Sequence, residues 1–147
     1  MAFSAAVVNI DMNPVPQPRH QVGKFGVYLP KHVERRLGTY KAAIAGAIRE
    51  KYGDEFSVGK GVPVSLKLVF RMPMAKSWPK YKRERCMWGA HFVKPDLDNL
   101  VKAVKDALVP DVLYDDSQVV NLDAMKLWAP EGGVHITLKI EEEMMDV

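Results

Sequence analysis

Apolar positions along the chain change period several times, and each change marks an element. FSAAVVNI is apolar and short enough for a strand. The following MNPVPQPRH carries Pro14, Pro16 and Pro18, whose fixed φ and missing N–H forbid helix, so it should run as an extended connector ending in Arg19 and His20. FGVYLP has the make-up of a second short strand. Val33, Leu37, Tyr40, Ile44 and Ile48 then recur at helical spacing, which predicts a long helix from Lys31 to Tyr52 that stops at Gly53. VPVSLKLVF alternates Val64, Leu66, Leu68 and Phe70 against Ser65, Lys67 and Val69, the pattern of a strand with one buried face and a central place in its sheet.

The next stretch, RMPMAKSWPKYKRERCMWGAHFVKP, follows neither period. Its prolines and its mixture of aromatics and cations predict a loop containing one short helix. Leu97, Leu100, Val101, Val104 and Leu108 form one apolar stripe, so a second long helix should span Leu97 to Leu108 and end at Pro110. VVNLDAMKLWAP and VHITLKIEE alternate on either side of EGG, which predicts a closing antiparallel hairpin with a tight turn. The expected fold over residues 1–147 is a single α+β domain, a small mixed, largely antiparallel sheet packed by two main helices. No repeat, low-complexity tract or long linker divides the chain.

Composition narrows the class. At 147 residues, 48% hydrophobic and 27% charged, the chain has ordinary globular usage, which excludes long disorder, a collagen-like repeat or a disulfide scaffold. No apolar run approaches the roughly 18 residues needed to cross a bilayer. MAFSAAVVNI lacks the basic start of a secretory signal, so a cytoplasmic protein with no membrane partner is expected. Cys86 is the single cysteine and has no second thiol for a disulfide or a thiolate metal cage. His20, His32, His91 and His135 show no zinc-motif spacing.

A net charge of +3 is too small to name a nucleic-acid partner, but its distribution is informative. Lys76, Lys80, Lys82, Arg83, Arg85 and Lys94 gather in one stretch opposed only by Glu84, whereas Glu141, Glu142, Glu143 and Asp146 make the far end acidic.

The densest chemistry lies in KPDLDNLVKAVKDAL and the VLYDDSQ that follows it. Pro95 biases Lys94 toward an extended backbone, which puts Asp96 at the start of the second long helix and Asp98 in its first turn. Asp98 and Lys102 are four residues apart and so neighbours on the polar face. If VPDVLY folds back toward that helix start, Asp115 and Asp116 join the first pair as hard oxygen ligands of the kind that suit Mg²⁺. Capping, the helix dipole and ordinary Asp-Asp-Ser turn chemistry account for the same residues without a metal, and spacing alone leaves both readings open. The neighbouring basic, aromatic-bearing loop adds weight to the first, because phosphodiester cleavage needs cations on the backbone and carboxylate-held metal at the scissile phosphate.

In this order, VPQPR, SWPKYKRE, KPDLDNLVKAVKDAL and YDDSQVV resemble the RusA family of Holliday junction resolvases of bacteria and their phages, over most of the chain. The resemblance implies a homodimeric, Mg²⁺-dependent endonuclease that places paired nicks in four-way branched DNA, with Mn²⁺ as a substitute metal. Position by position, Asp96 and Asp98 match the first acidic pair, Lys102 the essential lysine, and Asp116 the later catalytic aspartate with Asp115 as its supporting neighbour. Pro95 stands where some members carry an arginine, which leaves a phosphate contact there to Lys94.

On this reading Asp96, Asp98 and Asp116 hold one or two Mg²⁺ for in-line attack, while Lys102 stabilises charge in the transition state or assists the leaving oxygen. Arg19, Lys76, Lys80, Lys82, Arg83, Arg85 and Lys94 are the candidate phosphate contacts. Trp78, Tyr81, Trp88 and Phe92 either stack on unpaired bases or anchor the fold. Two alternatives stand beside this: a less selective flap or fork nuclease, and a non-catalytic dimer that binds branched DNA.

Overall fold

The computed structural model describes residues 4–18, 21–24 and 26–144. Its elements are β1 (Ala5–Ile10), β2 (Gln21–Gly23), β3 (Gly26–Tyr28), α1 (Lys31–Tyr52), β4 (Val64–Pro73), α2 (Lys80–Cys86), α3 (Leu97–Leu108), β5 (Val119–Ala129) and β6 (Gly133–Ile140). Both long helices occupy the spans that their apolar spacing predicts. Gly53 ends α1 with φ of 91°, a conformation that side chains with a β-carbon rarely adopt.

A four-stranded mixed sheet runs in the order β1-β6-β4-β5, and β2 with β3 makes a separate small ribbon. β6 pairs antiparallel with both β1 and β4, whereas β4 and β5 are parallel. Cross-strand register aligns the inward side chains in rows. Val8, Ile136, Leu68 and Ala124 stand side by side, and one row on come Ile10, Val134, Phe70 and Lys126. The apolar members of these rows, Ala124 only partly, are buried with Leu37, Tyr40, Ile44 and Ile48 of α1 and with Leu100, Val104 and Leu108 of α3. The result is a two-layer α+β arrangement with α1 over β1 and α3 over β5. Val64, Leu66, Leu68 and Phe70 are fully buried, which fits the central place expected of β4.

The predicted closing hairpin does not form. β5 and β6 run in opposite directions, but β4 lies between them, and residues 130–132 step across its end. Alternation specifies which face of a strand is buried, not which strand lies beside it. The most buried strand gains by having both of its edges paired, and β4 takes both. The glycines read as a tight turn serve close approach instead: a β-carbon on Gly132 would run into Asn13, and one on Gly133 into the Arg71 guanidinium. Among the described residues, no helix is long and apolar enough to cross a membrane.

Candidate active site

The opening of α3 displays two carboxylates. Asp96 is the residue before the first turn, with extended backbone (φ −68°, ψ 142°), and its exposed carboxylate makes no capping bond. Asp98 is also exposed, and its Oδ1 accepts a hydrogen bond from the Asn99 N–H at 2.9 Å. The unpaired N–H groups of a helix start favour negative charge, so both side chains sit where an anion is least costly. Lys102 forms its ion pair one turn further on, with Asp106 at 3.6 Å.

Beyond Pro110 the chain turns at the Leu108 end of α3, where the Val112 and Leu113 N–H groups bond to the Leu108 carbonyl at 2.9 and 2.8 Å, and the 3-10 turn Asp116–Gln118 packs against the helix from there. Gln118 secures that turn. It is buried, its Oε1 accepts from the Asp115 N–H at 2.9 Å, and its Nε2 donates to the carbonyls of Gly59 and Val62 at 2.7 and 2.9 Å. Asp115 in turn accepts from the Ser117 N–H at 2.9 Å. That backbone bond, helped by side-chain bonds to Ser117 and Asp116, holds the Asp115 carboxyl below the usual carboxylate range. Asp115 is thus engaged in shaping the turn, while half-buried Asp116 begins it.

Among the described residues, no three His, Cys, Asp or Glu side chains converge as a ready metal cage. The donor chemistry nevertheless fits a hard divalent cation. Asp96 has an uncommitted carboxylate two residues from Asp98, and the Asp116 turn lies against the same helix. Mg²⁺ is usually held through one or two carboxylates and completes its shell with waters and substrate phosphate oxygens.

A residue without an assigned role in the motifs positions this site. Leu122, Ala124, Lys126 and Trp128 of β5 face the helix layer, in register with Leu66, Leu68, Phe70 and Met72 of β4. Lys126 Nζ donates to the carbonyls of Val93 and Pro95, pinning the segment that leads directly into Asp96. Residues 88–91 are stitched along the outer edge of β5 by Trp88 N–H to Trp128 O, Trp128 N–H to Gly89 O and His91 N–H to Lys126 O, at 2.8, 2.9 and 3.2 Å. A lysine at an inward phase of a strand is the sequence signal that would have found it.

His91 is 5% exposed, and its ring centroid lies 4.3 Å from that of Trp128. Burial pushes its pKa down, and the Lys126 charge adds to the shift. The unfolded chain, whose imidazole titrates near the ordinary value of about 6.5, therefore takes up the proton first as pH falls. Stability should decline below that pH. Thermal unfolding between about pH 7.5 and 5.5 should show the decline, and His91→Phe should flatten it. An unchanged slope in that variant would remove His91 from the account.

The basic residues lie around α2, which has no buried residue. Lys80 pairs with Glu84 at 3.7 Å, and Lys82 Nζ sits 4.0 Å from the centroid of the Trp78 ring. Trp78 packs edge-on against Trp128 at 4.8 Å, which fixes the start of the helix to β5. Lys76, Arg85 and Lys94 are exposed and Arg83 is half-buried, whereas Arg19 lies outside the described residues. Of the four aromatics, Trp78 is an anchor, while Tyr81, Trp88 and Phe92 are exposed.

A family model described as Endodeoxyribonuclease RusA matches residues 11–139, a span that takes in every candidate site residue. The chain is also similar to a Bacillus subtilis (strain 168) protein, "Uncharacterized protein YqaN", at 41% identity over 81 residues. That alignment covers 52% of this chain and 57% of YqaN, so the chain spans little more than half the length of that relative.

Proposed function

The chain belongs to the RusA endodeoxyribonuclease family, and from that premise we propose that it is a Mg²⁺-dependent, structure-selective nuclease that resolves four-way DNA junctions by paired symmetric nicks. The observation that carries this reading is the pair of exposed carboxylates, Asp96 and Asp98, at one helix end with the Asp116 turn packed on the same helix. Asp96, Asp98 and Asp116 would hold the ion, with Asp115 keeping the turn in shape. When bound, Mg²⁺, or Mn²⁺ in its place, supplies charge neutralisation at the phosphate and a more acidic attacking water. The chain's own contribution is to orient the carboxylates through Lys126 and Gln118 and to present cations to the DNA backbone.

Lys102 would meet charge that develops on the phosphate. Lys102→Met should lower the nicking rate about a hundredfold, the usual scale for losing one preorganised electrostatic group, with junction binding in EDTA unchanged. Near-wild-type nicking would leave Lys102 with only its ion pair to Asp106, worth about 0.3–0.5 kcal/mol.

Lys76, Lys80, Lys82, Arg83, Arg85, Lys94 and Arg19 would contact phosphates on either side of the cut. Replacing Lys80, Lys82 and Arg83 together by alanine should reduce the slope of log affinity against log salt by about 2–3, since each phosphate contact contributes about 0.9. An unchanged slope would remove α2 from the DNA surface.

A four-way junction is close to two-fold symmetric, so paired cutting calls for a homodimer. Among the described residues no strand pairs with the outer edge of β5 over residues 119–125, where Val120, Leu122 and Met125 are exposed, and a second copy would cover this edge. The deciding experiment incubates the protein with a fixed-sequence junction and a matched linear duplex, with Mg²⁺ or EDTA. Symmetric nicks in the junction alone support the reading. Equal cutting of flaps and forks favours the less selective nuclease, and tight junction binding without any nick favours the binding-only dimer.

A further inference from the structure

Beside the α3 carboxylates lies a cleft whose larger part contains none of the residues assigned to the cleavage step. Its larger part, about 750 Å³, opens between residues 12–16 and 91–95 over Met72 and Trp128 of the sheet. An adjoining part of about 520 Å³ is lined by Gln17, Asp96 and Asn99 and shares Pro16, Lys94 and Pro95 with the first. The two parts adjoin at Pro16, Lys94 and Pro95, with the Trp128 indole lining the larger and the Asp96 carboxylate the smaller, and the larger has the volume of a small-ligand site.

Three features define what fits there. The walls are largely apolar, with proline, methionine and indole surfaces that suit a flat π-face. The mouth of the larger part carries Arg36 and Lys94 and no carboxylate, both cations are exposed, and neither has an ion-pair partner among the described residues. His91 Nδ1 in the larger part and Gln17 Oε1 in the smaller are buried without a hydrogen-bond partner, which leaves polar capacity unused on both walls. The occupant is then planar, apolar on its faces, polar along its edge and joined to an anion. One wall is already fixed, because Lys126 pins the carbonyls of Val93 and Pro95.

We propose that this cleft takes up one unstacked nucleobase of the strand being cut, from a nucleotide adjoining the scissile phosphate, with Arg36 and Lys94 on the flanking phosphates. The inference rests on the nuclease reading above and adds to it a place where base identity at the cut is read. Bases at a branch point are the least costly to unstack, which suits the same substrate.

The test uses the full chain in EDTA with four-way junctions that carry one 2-aminopurine, moved a nucleotide at a time along the strand to be cut, beside a matched abasic series. Fluorescence should change severalfold at one position. An abasic site there should weaken binding about tenfold, within the range of base–aromatic stacking. Val93 lines the mouth and is 51% exposed, so Val93→Trp can fill it from the surface. That variant should bind intact and abasic junctions alike. Equal wild-type affinity for intact and abasic junctions at every position overturns the proposal, as does a position-specific signal that survives Val93→Trp. The abasic series needs only the wild-type chain, so it decides even if the variant misfolds. Adding Mg²⁺ separates the two readings. A position-specific signal with no nick defeats the nuclease and keeps the pocket, whereas clean nicks with a flat abasic profile defeat the pocket alone.

Discussion

Asp98→Asn and Asp116→Asn should each lower Mg²⁺-dependent nicking of a four-way junction by at least about a hundredfold, while junction binding in EDTA stays at or above the wild-type level. The substitution keeps shape and removes charge. Asp98 is exposed and its one bond, from the Asn99 N–H, can be kept by an asparagine carbonyl. The folding cost is then the lost helix-dipole interaction, about 0.3–1 kcal/mol. What the variant cannot supply is the anionic ligand. Binding should hold or improve because a carboxylate facing DNA phosphates repels them until a cation lies between. Asp115→Asn should be milder, since that side chain accepts from the Ser117 N–H. Resolving the nicked strands on a denaturing gel, beside circular dichroism of each variant, is enough to decide. A folded variant that nicks like the wild type is not a metal ligand.

Lys126→Met should be nearly as damaging although Lys126 belongs to neither aspartate motif. Its ammonium donates to the Val93 and Pro95 carbonyls, and those residues fix where Asp96 begins α3. Hydrogen bonds from a charged donor are worth about 1.5–3 kcal/mol, and partial exposure of the segment brings the expected loss of stability to about 2 kcal/mol. The activity should fall further than the stability does, because a displacement of about 1 Å at a reacting centre costs on the order of a hundredfold. Lys126→Arg should recover much of the rate. If Lys126→Met lowers the unfolding midpoint yet nicks at the wild-type rate, the pinning is structural only.

Elements whose causes are local were legible in the sequence. The apolar stripes of α1 and α3 specify helices from Lys31 to Tyr52 and from Leu97 to Leu108, since spacing at 3.6 residues needs no knowledge of the partner. The position of Asp96 and Asp98 at one helix end was legible for the same reason: Pro95 and the capping preference act over a few residues. Pairing was not, because β5 and β6 alternate equally well beside each other or on either side of β4. The three-residue strand β2 carries too little pattern to stand out. The roles of Lys126, Arg36 and His91 were not legible because they depend on segments far away in the chain. Only the register of β5 on β4 reveals that Lys126 stands in a row with Phe70 and that its reach ends on Pro95.

The place of β6 also sets a timetable. It is the strand that joins β1 to β4, yet Gly133–Ile140 follows every candidate carboxylate and cation in the chain. A ribosome that has already delivered Asp96, Asp98 and Asp116 has not yet made the strand on which the sheet closes. Until it does, β1 lacks the one neighbour it has among the described residues and β4 has one bare edge, the condition in which strands join the wrong chain. Long-range pairing of this kind is slow to form and completes as a unit. A nascent chain therefore carries the candidate carboxylates and cations for some time without the frame that aims them, and on the proposed function the capacity to cut DNA would arrive late, with the closing of the sheet.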